Sequence, residues 1–163
     1  MVGPSRDLRP TMSEGNVIQM TFDEFGKTAG GSKKSGSWYV RNPETIVVLN
    51  LQKSNYSVSY FVNVAVWLNS LGEADAPKEN KCPVRTRLNE LLPDSLDQRV
   101  DELLDLNYAM DDESRRGELE SLLQEHLLPA VKAASTLDGL RAGAGRHLVE
   151  RSLVTGPAQR LLG

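Results

Sequence analysis

Residues 37–71 read SWYVRNPETIVVLNLQKSNYSVSYFVNVAVWLNSL and hold most of the strand-forming residues of the 163-residue chain. Two runs within this stretch, Thr45–Lys53 and Tyr60–Leu68, are rich in Ile, Val and Leu and have the length of β-strands. The residues between the two runs are mostly polar, with Tyr56 and Ser57 at their centre. We therefore expect the two runs to form a β-hairpin that turns at Tyr56 and Ser57.

The apolar residues of the predicted hairpin determine its register. Side chains of a strand alternate between its two faces, and a slip of one residue would turn a whole apolar set towards water. Leu49 is therefore expected opposite Val64, and Leu51 opposite Val62. One face of the hairpin is then entirely aliphatic, and its predicted core residues are Val47, Leu49, Leu51, Val62, Val64, Val66 and Leu68. A hairpin is marginal by itself, so a second layer has to cover this face.

The opposite face of the hairpin carries three amide side chains near the turn, those of Asn50, Gln52 and Asn63. The register places Asn63 across from Asn50, and Gln52 lies two residues along the same strand. Amides on an otherwise apolar face are costly unless they form hydrogen bonds. Two interpretations remain open at this point, because the amides either pair with one another or bind a ligand.

Composition and charge fit a single cytoplasmic domain with a sizeable core. The formal net charge of −3 gives no general attraction to nucleic acid. The single cysteine, Cys82, excludes an internal disulfide and is typical of a reducing compartment. No apolar run has transmembrane length, and the N-terminus lacks an apolar signal core. We therefore predict a cytoplasmic protein that makes no contact with a membrane.

The N-terminal residues predict a leader ahead of the domain. Residues 1–16 are rich in Gly, Pro, Ser and charged residues, and this composition predicts disorder. Met12 and Met20 are alternative starts of the natural chain. Residues 17–163 are predicted to form a single α+β domain.

The segments outside the hairpin are predicted to be strands and helices in succession. Trp38–Arg41 predicts a strand ahead of the hairpin. An amphipathic stripe that begins at Asp111 predicts helices in the C-terminal half, with a break or a kink at Pro129. Residues 84–92 and 98–104 fit either a helix or a strand. The predicted fold is α+β, an antiparallel sheet of three to five strands covered by C-terminal helices.

A short helix is expected ahead of these strands. Thr21 and Glu24 have the spacing of a capping box, which predicts that the helix begins near Phe22. Gly26 and the following Gly30 then predict an early end.

Four segments of the chain resemble a bacterial family known as domain of unknown function 4304. The family shows G-F-K-[KR]-x-G-x-x-[WFY]-x-R, then N-[LF]-Q-K-S, then F-x-[IV]-N, and later C-x-[IV]-R-x-R-L. Here residues 31–41 read GSKKSGSWYVR, residues 50–54 read NLQKS, residues 61–64 read FVNV, and residues 82–88 read CPVRTRL. The resemblance extends from about Phe22 to about Gly143.

The resemblance implies secondary structure but no activity. It implies a strand over Val84–Leu91 and a further strand over Gln98–Leu104. The chain departs from the family at its N-terminal helix, for which the glycines leave about one turn. It also carries Ser32 in place of the family aromatic and lacks the D-x-W-W segment. Since the family has no known activity, no catalytic residue is carried over.

The candidate chemistry of the chain yields no catalytic residue, no metal site and no cofactor. His126 and His147 lie far apart without a second ligand at metal-binding spacing. Cys82 has no base that the sequence places in reach, so a structural thiol is predicted. Residues 30–36 are glycine-rich but lack the G-K-[ST] order of a phosphate-binding loop.

The candidate binding surface combines the three amides with basic and aromatic side chains of the neighbouring strands. Arg and Lys side chains bind the acidic groups of proteins and the phosphates of nucleic acids. The predicted binding residues are Asn50, Gln52, Asn63, Lys53, Arg41, Arg85, Arg87 and Trp38. A scattered basic surface without a function is the alternative.

Two functions therefore remain open. The first is a non-catalytic binding module, of accessory or immunity type, whose partner is another protein or, with less support, a nucleic acid. The second is a small enzyme that holds an anionic substrate with the amides and arginines. A closed pocket around the amides would favour the enzyme, whereas a flat, exposed apolar patch near Trp38 or Trp67 would favour the module. The oligomeric state does not follow from the sequence.

Overall fold

The computed structural model describes residues 15–163 and contains one six-stranded antiparallel sheet, in which the strands follow one another in chain order. The strands are β1 (Ser32–Lys34), β2 (Ser37–Arg41), β3 (Thr45–Lys53), β4 (Tyr60–Leu68), β5 (Val84–Arg87) and β6 (Leu153–Val154). The α+β class is confirmed, but the expectation of three to five strands is too low. Two short edge strands, β1 and β6, have too few residues for an alternating pattern to show in the sequence.

The β3–β4 hairpin has the predicted register. Leu49 lies opposite Val64, and Leu51 lies opposite Val62. The aliphatic face is buried as predicted except at Leu51, which is partly buried, and Leu49 has no exposed surface. A second hairpin joins β1 to β2 through Ser35 and Gly36, both of which have positive φ angles, as the two-residue turn of such a hairpin requires.

Helices cover the aliphatic face of the sheet. They are α1 (Val17–Thr28), α2 (Leu88–Leu91), α3 (Asp97–Leu103), α4 (Asp112–Leu122), α5 (Leu128–Ala133), α6 (Leu137–Leu140), α7 (Gly143–Glu150) and α8 (Gly156–Leu162). Their buried apolar side chains form one continuous core with β2, β3, β4 and β5. The cover thus includes an N-terminal helix as well as the predicted C-terminal ones. None of the helices within residues 15–163 is long and apolar enough to cross a membrane.

Helix α1 begins earlier and ends later than the sequence predicted. The Asn16 side chain accepts a hydrogen bond from the Gln19 N–H, and the Gln19 side chain accepts one from the Asn16 N–H. The capping box therefore lies at Asn16 and Gln19, and the one predicted at Thr21 and Glu24 is wrong. Of the predicted leader, residues 1–14 lie outside the described part of the chain, while Asn16 caps this helix.

Gly26 lies inside α1 and does not end it. A Cβ atom at this position would lie 2.3 Å from the Trp38 ring. The glycine therefore serves the close approach of α1 to β2, and a helix of three turns fits where one turn was expected.

The two ambiguous segments adopt different structures. Residues 84–87 form β5, and Leu88 begins the short helix α2. The pattern left residues 98–104 open, and the strand that the family resemblance implied there is wrong, because Asp97–Leu103 is helix α3. A strand would have placed Gln98 and Glu102 on the same face as Val100, whereas the helix buries Val100 together with Leu103.

The long C-terminal helical run is interrupted ahead of Pro129. A π-helical segment, Leu123–Leu127, joins α4 to α5, and the Leu128 N–H bonds to the Leu123 carbonyl five residues earlier. Proline lacks an N–H, and the wider turn accommodates it without ending the helical run.

Arg115 is a charged residue inside the helical layer, with 2% of its surface exposed. Its guanidinium donates hydrogen bonds to the carbonyls of Glu102, Leu103 and Tyr108. These carbonyls lie at and beyond the C-terminal end of α3, where a helix carries partial negative charge. Arg115 therefore ties the end of α3 to α4.

Candidate binding surface

The second face of the sheet consists of two halves. In the half farther from the β3–β4 turn, Tyr39, Ile46, Val48 and Ala65 form a small apolar cluster with Cys82. The segment after β4 packs on this cluster through Ala76, which is partly buried against it. The half nearer the turn is polar and partly exposed.

We call this second half the polar platform, and it consists of Lys34, Ser37, Asn50, Gln52, Phe61, Asn63 and Arg87. Five of its members form one row across β1 to β5, because each lies opposite the next: Lys34, Ser37, Asn50, Asn63 and Arg87. Residues directly opposite one another in a sheet share a face. The row therefore carries a cation at each end and neutral polar side chains between them.

A hydrogen-bond network orients the amides of the platform. The Asn63 amide nitrogen donates to the Asn50 side-chain oxygen at 3.0 Å and to the Gln52 side-chain oxygen at 2.9 Å. The Asn50 amide nitrogen donates in turn to the Ser37 hydroxyl at 3.1 Å. The three amides therefore converge as the hairpin register predicts, and they pair with one another.

The network leaves amide donors at the surface of the platform, beside the Asn63 side-chain oxygen, which accepts no hydrogen bond within residues 15–163. Asn63 uses both amide hydrogens, and it does so on the oxygens of Asn50 and Gln52. Gln52 is exposed, so its NH₂ group is the part that remains available. Arg87 is also exposed and stacks on Phe61, with its guanidinium carbon 4.1 Å from the ring centroid. Stacking on the ring face leaves the N–H groups at the edge of the guanidinium free to bind a ligand.

Two predicted binding residues lie away from the platform. Trp38 faces the helical layer, is 5% exposed, and donates its indole N–H to the Asp23 carboxylate at 2.9 Å. Lys53 has the same strand parity as Leu49 and therefore points to the helical side of the sheet. Its ammonium donates to the Ser57 carbonyl within the turn.

Two predicted arginines contact the segment between β4 and β5 instead. Arg41 donates to the Asp75 carbonyl at 2.9 Å and also forms an ion pair with the Asp75 carboxylate. Arg85 donates to the Asn80 carbonyl, and its guanidinium lies 3.8 Å from the Glu79 carboxylate. Both arginines thus hold this segment on the sheet, and of the predicted basic residues only Arg87 joins the amides.

A family model described as Domain of unknown function (DUF4304) matches residues 23–133. This range is more than half of the chain and contains the whole polar platform. The chain belongs to this family. No curated protein and no solved structure matches the chain. In this DUF4304 protein the segment that forms α6 to α8 and β6 follows the matched range.

Two platform residues, Ser37 and Phe61, are not among the binding residues predicted from the sequence. Ser37 accepts the hydrogen bond from Asn50, and Phe61 supports Arg87. The alternation of side chains along β2 and β4 predicts the face on which both residues lie, because Phe61 is paired with Gln52 and Ser37 with Asn50. Neither position stands out by residue type.

Cys82 of the DUF4304 protein lies in the apolar half of this face and is buried. The pKa of the Cys82 thiol is raised to about 12, mainly because the thiol is buried. The nearby Glu79 carboxylate also raises this pKa, and the Arg85 guanidinium lowers it by less. The thiol is therefore protonated at neutral pH, and it donates a weak hydrogen bond to the Lys78 carbonyl. This environment supports a structural thiol.

Within residues 15–163, no three His, Cys, Asp or Glu side chains come together as a group that could hold a metal ion.

Proposed function

We propose that this DUF4304 protein is a non-catalytic binding module whose polar platform recognises an acidic group on another protein. The observation that supports the proposal is the direction of the amide network. Asn63 engages the oxygens of Asn50 and Gln52, so the surface presents N–H groups between Arg87 and Lys34. The Lys34 ammonium also lies 3.9 Å from the Asp75 carboxylate. A surface of this kind suits a carboxylate, since hydrogen bonds between charged groups are about twice as strong as neutral ones.

The position of the platform favours a protein partner over a small substrate. A small molecule is usually held in a concave pocket that buries most of its surface. Gln52 and Arg87 are instead exposed on one face of a sheet, and Asn50 and Phe61 are half-buried. Arg87 on Phe61 resembles the arginine and aromatic side chains that contribute most to protein interfaces.

The alternative function, an enzyme that acts on an anionic substrate, receives less support from the same geometry. Cys82, the one thiol, is protonated and lies in the other half of the face. A module that masks a partner, in an accessory or immunity role, needs only the exposed platform.

The experiment that tests the proposal is partner capture by a variant with Asn50→Leu and Asn63→Leu. We expect a folded protein, because replacing both members of a buried hydrogen-bonded pair by apolar groups is often nearly neutral. We also expect it to lose the partner that the natural chain captures from a lysate of the source cells, as identified by mass spectrometry. The matched control is Asn80→Leu with Asn107→Leu, two exposed amides outside the platform.

A second variant tests the charge of the platform. Arg87→Met keeps an unbranched side chain over Phe61 but removes the cation, so capture should weaken, while Arg160→Met should leave it unchanged. Full capture by a folded Asn50/Asn63 variant would contradict the proposal. Capture that is lost when the lysate is treated with nuclease would replace the protein partner by a nucleic acid.

A further inference from the structure

A groove between α3 and α4 lies on the helical side of the sheet, away from the polar platform. Its volume is about 550 Å³. Leu96, which is partly exposed, supplies apolar surface at its base, and Leu103 and Leu122 line the groove with 1% and 6% of their surface exposed. These leucines line the groove from both helices, so an apolar side chain placed in it would contact both.

Gly117 lies in the middle of α4 and lines the same groove. A Cβ atom added at this position would meet no atom within 4 Å, and the residue has no positive φ angle. Neither packing nor backbone conformation therefore requires a glycine here, although glycine weakens the interior of a helix. A larger side chain at position 117 would occupy the groove.

Acidic side chains lie towards both ends of the groove. Glu113 lies near the start of α4, and Glu125 lies in the π-helical segment beyond its end. Glu118, between them, is held by Arg99 from α3. Glu113 forms no ion pair with any of the residues 15–163, and Glu125 lies 3.5 Å from the His126 imidazole. Twelve residues of helix span roughly 18 Å, which is the distance expected between Glu113 and Glu125.

We propose that the α3–α4 groove is a second binding site, which takes an amphipathic helix from a partner protein. The leucines at the base specify an apolar stripe on this helix, and Glu113 and Glu125 specify basic residues about three turns apart. An amphipathic helix in an apolar groove is a common mode of peptide recognition, and acidic side chains at the ends favour a basic partner. This inference does not rest on the function proposed for the polar platform.

The test uses two synthetic probes and the full chain. The first probe is a blocked 16-residue Ala/Leu helical peptide with two lysines near each end, and the second has glutamates in place of the lysines. At pH 8, where an ordinary histidine is neutral, we expect the lysine peptide to shift the NMR amide signals of α3 and α4 in a saturable way. We expect at least tenfold weaker binding of the glutamate peptide.

Two glycine variants make the test specific to the groove. Gly117→Gln should weaken binding of the lysine peptide at least tenfold, because the new side chain occupies the groove. Gly156→Gln is the matched control at the first residue of α8, where an added Cβ makes only ordinary contacts, and it should bind as the natural chain does. A circular dichroism melt of each variant checks that it is folded.

Three outcomes would overturn the inference. The first is equal binding of the two peptides, and the second is unchanged binding by folded Gly117→Gln. The third is a set of shifted signals that lies outside α3 and α4, which would place the peptide elsewhere. The acid pair can be tested in the same titration, since Glu113→Gln with Glu125→Gln should reduce the affinity for the lysine peptide and its dependence on salt.

Discussion

The two faces of the sheet are built from the same strands but differ in what covers them. On one face, which we call the helical face, Leu49 and Val64 lie in a continuous core beneath the helices. On the other face, the apolar cluster of Val48 and Ala65 is small, and the polar platform continues it towards the β3–β4 turn. The same alternation of side chains thus yields a core on one side and a partly exposed polar surface on the other.

This difference separates residues that hold the fold from residues that are available to a partner. The helical face is closed, so substitutions there should act on stability. The platform contributes little apolar burial, so substitutions there should act on binding.

Leu49→Ala should have the largest effect, because Leu49 has no exposed surface and lies at the centre of the helical face. A loss of roughly 2–5 kcal/mol in the free energy of unfolding is expected, since the packed core cannot close fully over the lost volume. Tyr56→Ala is the control in the turn of the same hairpin, where Tyr56 is 97% exposed, and its effect should stay within about 0.5 kcal/mol. Urea denaturation measures both. Similar values for the two variants would contradict the division between the faces.

The hairpin was predictable because the strand pattern has a period of two residues. A slip by one residue would move Leu49 and Val64 into water, and the turn at Tyr56 and Ser57 selects among the registers that keep the two faces. The convergence of Asn50 with Asn63 follows from the same register. The fold class and the positions of the amides could therefore be read from the sequence alone.

Other features depend on tertiary contacts that no local pattern contains. In the sequence, Gly26 indicates the end of a helix. The structure instead shows the Trp38 ring packed against this glycine. Asp97–Leu103 is short, and its few apolar residues suit either period until the helical layer buries Val100 with Leu103. The positions of the basic residues likewise depend on the face of the sheet that each one takes and on the path of the segment between β4 and β5. In this segment, the Asp75 carbonyl accepts a hydrogen bond from Arg41.

Arg115→Met should have an intermediate effect on stability, since Arg115 lies within the helical layer that covers the helical face. The substitution keeps much of the side-chain volume but removes the donors to the carbonyls of Glu102, Leu103 and Tyr108. The Glu102 carbonyl still accepts from the Asp105 N–H, whereas the Leu103 and Tyr108 carbonyls lose the Arg115 donor, and leaving buried acceptors without partners costs about 1–3 kcal/mol. The adjacent Arg116 is exposed and pairs with Glu24, so Arg116→Met should change stability by no more than about 0.5 kcal/mol. Thermal melts of the two variants side by side measure the difference, and equal melting temperatures would show that Arg115 does not support α3.

Cys82 tests whether the apolar half of the second face is a closed core like the helical face. Burial raises the pKa of its thiol from 9.0 to about 12. Because the folded state holds the proton more tightly, the contribution of this thiol to stability is complete below about pH 9. It is lost as the pH rises from 9 towards 12, where the unfolded chain releases the proton first.

The expected loss at pH 10, relative to pH 8, is roughly 1 kcal/mol for the natural chain. Tyrosines and lysines also titrate in this range, so the comparison has to be made with Cys82→Ala, which keeps those groups and lacks the thiol. Urea denaturation of both proteins at pH 8 and pH 10 should give the steeper decline for the natural chain. Parallel declines would mean that the thiol ionises as easily in the folded state as in the unfolded one. The segment between β4 and β5 would then leave this cluster open to water, and the partly exposed area of the second face would extend beyond the platform.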